Sequence, residues 1–173
     1  PTPMMDVMTR VKQQNLWVLP VITITVNKYY AFARDIDLQV YRCLQPCSGF
    51  WEPIKGLKLT EMRVARAEDC EEGADLWGVD ASGRQYFMDI HGNSKRFKPT
   101  GVMGANALKQ ISAGKSWVYG VTPRQEVYRC ALPACKDNPK WITVSGIFFK
   151  QVEVIGEEVW GLTAYGELWF TTA

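Results

Sequence analysis

VWGLTAYGELWFT, residues 159–171, decides the fold, because three other segments of the chain repeat its pattern. The related segments are YAFARDIDLQVYRC (30–43), LWGVDASGRQYFMD (76–89) and VYGVTPRQEVYRC (118–130). Each places two aromatic residues nine positions apart, and the first members are Phe32, Trp77, Tyr119 and Trp160. Successive first members are separated by 45, 42 and 41 residues, so the chain carries an internal repeat.

Each repeat is predicted to consist of short β-strands, since its apolar runs are brief, alternate with polar residues and end at Gly, Pro or Asp. Inner strands are predicted before the aromatic pairs, at 21–27, 59–65, 107–114 and 148–156, and outer strands after them, at 51–56, 96–101 and 141–146. Four strands in forty-odd residues are typical of a propeller blade. We therefore predict an all-β protein, a β-propeller of about four four-stranded blades.

The predicted propeller is a single domain over residues 1–173, with repeats at roughly 21–56, 57–101, 106–146 and 147–173. The fourth repeat has no outer strand of its own. The segment QNLWVLP, within residues 13–20, is predicted to pair with residues 168–171 and close the sheet, because an unpaired edge invites aggregation.

Four of the five cysteines form two close pairs in matching settings, each after a Tyr-Arg dipeptide. We expect disulfides between Cys43 and Cys47 and between Cys130 and Cys135, each stapling a hairpin in an oxidising compartment. A zinc site is the alternative, but both pairs would have to converge on it. Cys70 is left over, as a free thiol or an intermolecular bridge.

Several motifs together resemble the tectonin-repeat family: VWGL at 159–162, LKQISAG at 108–114, EVYRC at 126–130 and the W-x-x-V-x-G pattern at 141–146. The family includes fish-egg lectins and tectonin-type tachylectins. The resemblance implies a secreted, multivalent propeller lectin of innate defence, egg or cell surface that recognises lipopolysaccharide, N-acetylglucosamine-like or methylated sugars. The first repeat departs from the pattern, with Ala33 where the other repeats carry glycine.

Candidate sugar-binding residues are sought away from the repeat-defining aromatics, which we expect to pack the core. A sugar site needs an aromatic face and a few placed polar groups. The third repeat fits best, with Trp117 outside the strict period and Arg129 in the EVYRC motif. The remaining candidates are Trp51, Trp141, Arg42, Gln110, Gln151 and the turn residues Asp35 and Asp80. For each polar residue, turn capping or surface solvation is the competing role.

Other functional classes find less support. A formal net charge of +2 does not favour nucleic-acid binding, and no apolar run is long enough for membrane insertion. We expect no enzyme activity, since the single histidine, His91, lies in a polar turn. No cofactor is expected; calcium is the open alternative, which the acidic stretch EDCEE does not support because it does not match a calcium loop. The expected partners are glycans, and homo-oligomers are compatible with the pattern. A protein-binding or structural component of an extracellular matrix, mucus or egg is the alternative.

Overall fold

A computed structural model describes residues 21–27, 29–47, 51–65, 76–88, 98–99, 107–136 and 138–172. Almost all regular structure in these residues is antiparallel β-strand, and a 3-10 helix at Ala134–Lys136 is the exception. The all-β prediction is therefore confirmed. The segment 13–20, Cys70 and His91 lie outside the described residues, so the closing strand stays a prediction.

The chain divides between Lys58 and Leu59 into two compact units. The first unit holds one sheet, sheet 1, in which each strand pairs with the next along the chain. Its strands are β1 (Val21–Val26), β2 (Tyr30–Asp35), β3 (Gln39–Leu44) and β4 (Glu52–Lys58). The inner and outer strands predicted for the first repeat are thus confirmed as β1 and β4.

The second unit holds three sheets with the same up-and-down order. Sheet 2 consists of β5 (Glu61–Val64), β6 (Leu76–Val79), β7 (Gln85–Met88) and β8 (Lys98–Pro99). Sheet 3 consists of β9 (Gln110–Ala113), β10 (Trp117–Val121), β11 (Glu126–Ala131) and β12 (Ile142–Phe148). Sheet 4 consists of β13 (Gln151–Ile155), β14 (Glu158–Leu162) and β15 (Leu168–Thr172). Among the described residues sheet 4 has three strands, as the missing outer strand predicts.

Sheet 3 is covered on both faces, because successive strand residues point to opposite sides. Val118 belongs to a buried cluster with sheet 2, whereas the next residue, Tyr119, belongs to one with sheet 4. The cluster with sheet 2 contains Ala65, Trp77, Val79, Phe87, Leu108, Ile111, Ala113, Val118, Cys130 and Cys135. The cluster with sheet 4 contains Tyr119, Val121, Val127, Phe149, Val152, Val154 and Val159.

The first aromatic residue of the second repeat and that of the third each face the sheet that follows. Trp77 and Tyr119 are buried in this way, and Phe32 of the first unit is also buried, as predicted. Trp160 is only half-buried, contrary to the expectation of a core residue. Its ring lies 4.7 Å from that of Phe170, which is 52% exposed. No described sheet follows sheet 4, so this aromatic pair lacks the cover that the equivalent residues have.

The repeated glycine is explained by close packing. At Gly161 a Cβ atom would overlap the ring of Phe149, and at Gly78 and Gly120 it would overlap leucine side chains. Each glycine therefore lets the side chain that precedes the inner strand lie flat on the second strand. In sheet 4 this contact fixes the position of Phe149.

Candidate functional site

Two of the sequence-predicted candidates, Asp35 and Asp80, are turn residues. Asp80 accepts hydrogen bonds from the N–H groups of Ser82 and Arg84, at 2.8 and 2.9 Å, from Arg84 Nε at 2.7 Å and from the Tyr86 hydroxyl at 3.1 Å. Asp35 likewise accepts from a main-chain N–H and a tyrosine hydroxyl. Both carboxylates are buried and bind their own hairpins, which favours the turn-capping role over sugar binding.

The Asp80 turn makes stability depend on pH. Desolvation would raise the pKa of Asp80, but the hydrogen bonds from Arg84, Ser82 and Tyr86 outweigh it and hold the pKa below its ordinary value. The stabilisation is therefore full above the unfolded-state pKa of about 3.9 and is lost as pH falls through the lower folded-state pKa. We expect wild type to lose more stability than Asp80→Asn when the pH is lowered from 7 to 3, measured by urea unfolding at each pH.

Tyr86→Phe is the matched comparison for this prediction, because it removes one hydrogen bond and keeps the carboxylate. Its acid sensitivity should lie between those of wild type and Asp80→Asn. Identical pH profiles for all three proteins would show that Asp80 is not tied to this turn.

Gln110 and Gln151 lie on inner strands but in different surroundings. Gln110 is buried, and its side-chain amide binds both the N–H and the C=O of Val152, each at 3.0 Å. It thus links sheets 3 and 4 and is not open to a ligand. Gln151 is exposed, and its side-chain amide donates to Glu153 at 3.3 Å.

Trp141, Trp51 and Arg42 are all half-buried. The indole N–H of Trp141 donates to Gln85 at 2.9 Å, and its ring packs on the cluster between sheets 2 and 3. Arg42 donates from Nε and Nη2 to Glu52, at 2.9 and 2.7 Å. The Arg42 guanidinium is therefore already paired with a carboxylate of the same unit.

The cysteine pairs differ. Cys130 and Cys135 form the predicted disulfide, and both sulfurs are buried against sheet 2. Cys43 and Cys47 are free thiols, so the disulfide predicted between them is not formed in this structure. Burial, and then a hydrogen bond with Cys43, raise the pKa of the Cys47 thiol to about 12. The matching Tyr-Arg-Cys context predicted a disulfide in both hairpins, but the structure contains it only at Cys130–Cys135 among the described residues.

A groove runs between sheets 3 and 4. It consists of two adjoining hollows of about 210 and 260 Å³, which share Ile147, Phe149 and Trp169 as walls. Trp169 lies opposite Gly161 in the β14–β15 ladder, and the absence of a side chain there leaves room for Phe149. Trp169 is still 55% exposed. An apolar floor with an accessible indole is thus open to a ligand.

Arg129 lines one end of this groove. Its guanidinium lies over the Trp117 ring, 4.3 Å from the centroid, so the two residues that the sequence singled out in the third repeat are in contact. Trp117 supports the arginine, and Arg129 presents its charge to the groove.

Polar and aromatic groups line the other end of the groove. Tyr165 is 93% exposed and Phe148 61% exposed, while Gln125 and Glu167 supply an amide and a carboxylate. The Glu167 N–H donates to Thr163 Oγ1 at 3.1 Å, which holds this turn in the way that aspartate holds the turns of sheets 1 and 2. Aromatic faces and hydrogen-bonding groups therefore meet in one accessible site.

The sequence prediction missed Trp169, Tyr165, Phe148 and Glu167. One signal in the sequence distinguishes Trp169. Where the turn residue is aspartate, the second aromatic is a tyrosine whose hydroxyl binds it, as in Asp80 and Tyr86. The fourth repeat has threonine at the turn and Trp169 as the second aromatic, so that bond is lost and the ring is free for another use.

The described residues contain no helix long and apolar enough to cross a membrane. Within the same ranges, no three His, Cys, Asp or Glu side chains lie close enough together to hold a metal ion. The groups that the groove offers to a ligand are aromatic rings, amides and charged side chains.

Solved structures with a similar fold are propellers. Human WBSCR16 is 14% identical, with a TM-score of 0.59 over 88% of this chain and 47% of that one. Prp20p from Saccharomyces cerevisiae is 10% identical, with a TM-score of 0.65 over 90% and 46%. BamB from Moraxella catarrhalis is 13% identical, with a TM-score of 0.59 over 87% and 42%. The chain spans about half the length of these proteins, and the likeness confirms the predicted β-propeller fold class.

No curated protein sequence matches the chain. The profile of the Tectonin domain family, however, matches residues 20–173, which covers all four repeats. The chain therefore belongs to the Tectonin domain family.

Proposed function

We propose that the protein is a carbohydrate-binding lectin and that the groove between sheets 3 and 4 is a sugar site. The observation that carries the proposal is Trp169, a large aromatic residue that stays 55% exposed on the face where Phe149 and Tyr119 are buried. An exposed indole beside polar groups in a concave site is what a sugar ring requires. Membership of a family with many lectins supports the same proposal.

The groups in the groove match the two kinds of contact that a pyranose makes. The C–H face of a sugar would stack on Trp169, and the ring of Tyr165 would offer a second surface. The carboxylate of Glu167 accepts hydrogen bonds from sugar hydroxyls, while the amide of Gln125 both donates and accepts. The protein would bind a glycan and release it unchanged, without catalysis.

Multivalency would come from several copies of the groove. In the described part of the interface between sheets 2 and 3, the Cys130–Cys135 loop packs with Leu132 and Trp141 on the buried cluster, so these residues do not repeat the exposed indole of the groove. Repeated presentation would then require several protein copies, or further repeats, and it would convert weak single contacts into avidity. A secreted protein that recognises microbial or cell-surface glycans would use its sites in this way.

The test is a glycan array on the wild-type protein, followed by calorimetry of the best ligand with two variants. Trp169→Ala is expected to weaken binding tenfold to a hundredfold, since a lost stacking face costs about 1–3 kcal/mol. Leu168→Ala is the matched control, because Leu168 is the preceding residue on β15, is 67% exposed and is not among the residues that line either hollow. It should bind as wild type does.

A protein-binding function is the second candidate, favoured by the exposed apolar face of sheet 4. Leu168 is 67% exposed and Phe170 52%, and Trp160 lies beside them. The solved structures with a similar fold include Kap60 bound to yeast RCC1. A protein partner whose binding is lost in Leu168→Ala and kept in Trp169→Ala, with no glycan bound by wild type, would replace the lectin proposal by this one.

A further inference from the structure

The ligand of the groove can be specified further from the charge at its Arg129 end. Resting on the proposed function, we infer that the glycan carries a negatively charged group, a carboxylate, sulfate or phosphate, that binds the Arg129 guanidinium. The inference starts from a comparison of two arginines that hold the same place in two sheets.

Arg42 and Arg129 are equivalent in the repeat. Arg42 lies opposite Phe32 in the β2–β3 ladder, and Arg129 lies opposite Tyr119 in the β10–β11 ladder. Each follows a tyrosine and precedes a cysteine. The two guanidinium groups therefore start from matching backbone positions, and any difference between them comes from their neighbours.

The neighbour on the outer strand differs in charge. Glu52 of β4 lies opposite Arg42 and accepts two hydrogen bonds from it. The residue opposite Arg129 on β12 is Ile142, which has no charge to offer. Sheet 3 thus keeps the arginine and lacks the carboxylate that neutralises it in sheet 1.

Arg129 forms no ion pair with any residue that the structure describes, whereas Arg42, Arg63 and Arg84 each bind a carboxylate. Its partner is the Trp117 ring, which contacts the flat face of the guanidinium. Stacking on one face leaves the N–H edge available, and that edge matches a carboxylate or phosphate with two parallel hydrogen bonds. A half-buried cation without a counter-charge favours an anionic ligand.

The groove also places this charge at one end of an aromatic surface. Arg129 belongs to the first hollow, Tyr165 and Glu167 belong to the second, and Trp169 lies in both. A glycan that stacks on Trp169 would therefore have its acidic group directed to Arg129 and away from Glu167, whose own negative charge repels it. The arrangement selects the orientation of the ligand as well as its charge.

The experiment uses pairs of oligosaccharides that differ only in the charged group: neutral hexose oligomers and the same oligomers bearing a uronate, a sulfate or a phosphate. Wild type is expected to bind at least one charged member about tenfold to a hundredfold more tightly than its neutral partner, as charge-assisted hydrogen bonds allow. The three charged series show which anion the guanidinium prefers. The preference should weaken as salt is added.

Arg129→Gln should abolish the preference for the charged oligomer over its neutral partner, and Arg129→Lys, which keeps the charge, should retain part of that preference. Arg42→Gln is the control and should keep the whole preference, because Glu52 already neutralises Arg42. Equal affinity of wild type for neutral and charged partners would overturn the inference and leave the lectin proposal standing. Binding of no oligosaccharide at all would overturn both.

Discussion

Gln110→Ala is expected to lower the free energy of unfolding of the second unit by about 2–5 kcal/mol, because it leaves two buried main-chain groups unpaired. The Gln110 amide binds both the N–H and the C=O of Val152, at 3.0 Å each, and Val152 has no exposed surface. The two residues lie on β9 and β13, which are in different sheets. The Gln110 side chain thus makes the pair of hydrogen bonds to Val152 that a neighbouring strand would otherwise make.

Urea unfolding followed by tryptophan fluorescence measures this loss. Gln151→Ala is the matched control, since Gln151 is exposed and its side-chain amide makes a longer contact, to Glu153. Its effect should stay within about 0.5 kcal/mol, as for other surface substitutions. Equal losses for the two variants would show that the Gln110 bridge does not hold sheets 3 and 4 together.

The strands and their order were predictable because they depend on local patterns. Alternation of apolar and polar residues, together with the recurring aromatic pairs, located the inner strands β1, β5, β9 and β13. The burial of Trp77 and Tyr119 followed from the same periodicity, since repeated aromatics fill the space between blades.

Contacts between sheets were not predictable in this way. Gln110 was expected to bind sugar, yet its partner, Val152, lies 42 residues away along the chain. Trp160 was expected to pack in the core, yet it is only half-buried, and Trp169, which was not singled out, stays exposed beside a groove. Whether such a side chain binds a neighbour or a ligand depends on the facing sheet, and no local pattern contains that information.

The two cysteine pairs provide the second of the larger expected effects. Reducing agent is expected to break the Cys130–Cys135 bridge and to lower the free energy of unfolding by roughly 2 kcal/mol. This value corresponds to the conformational entropy that a short closed loop removes from the unfolded chain. The bridge also holds the 3-10 helix in place, where Lys136 Nζ lies 4.7 Å from the centroid of the Phe87 ring in sheet 2. Reduction should therefore loosen the contact between sheets 2 and 3.

Cys43 and Cys130 are both buried, so a substitution at either changes packing and stability by itself. The two pairs are therefore distinguished by how much the free energy of unfolding changes when reductant is added. The double variant Cys130→Ala/Cys135→Ala should unfold identically with and without reductant. Cys43→Ala/Cys47→Ala should keep the wild-type dependence, since these two residues are free thiols. Mass mapping of the denatured, alkylated protein without reductant should find Cys43 and Cys47 labelled and the other pair linked. If the dependence instead disappears with Cys43 and Cys47, the first repeat carries the bridge, as its Tyr-Arg-Cys motif predicted, and the pairing seen in sheet 3 does not stabilise the fold.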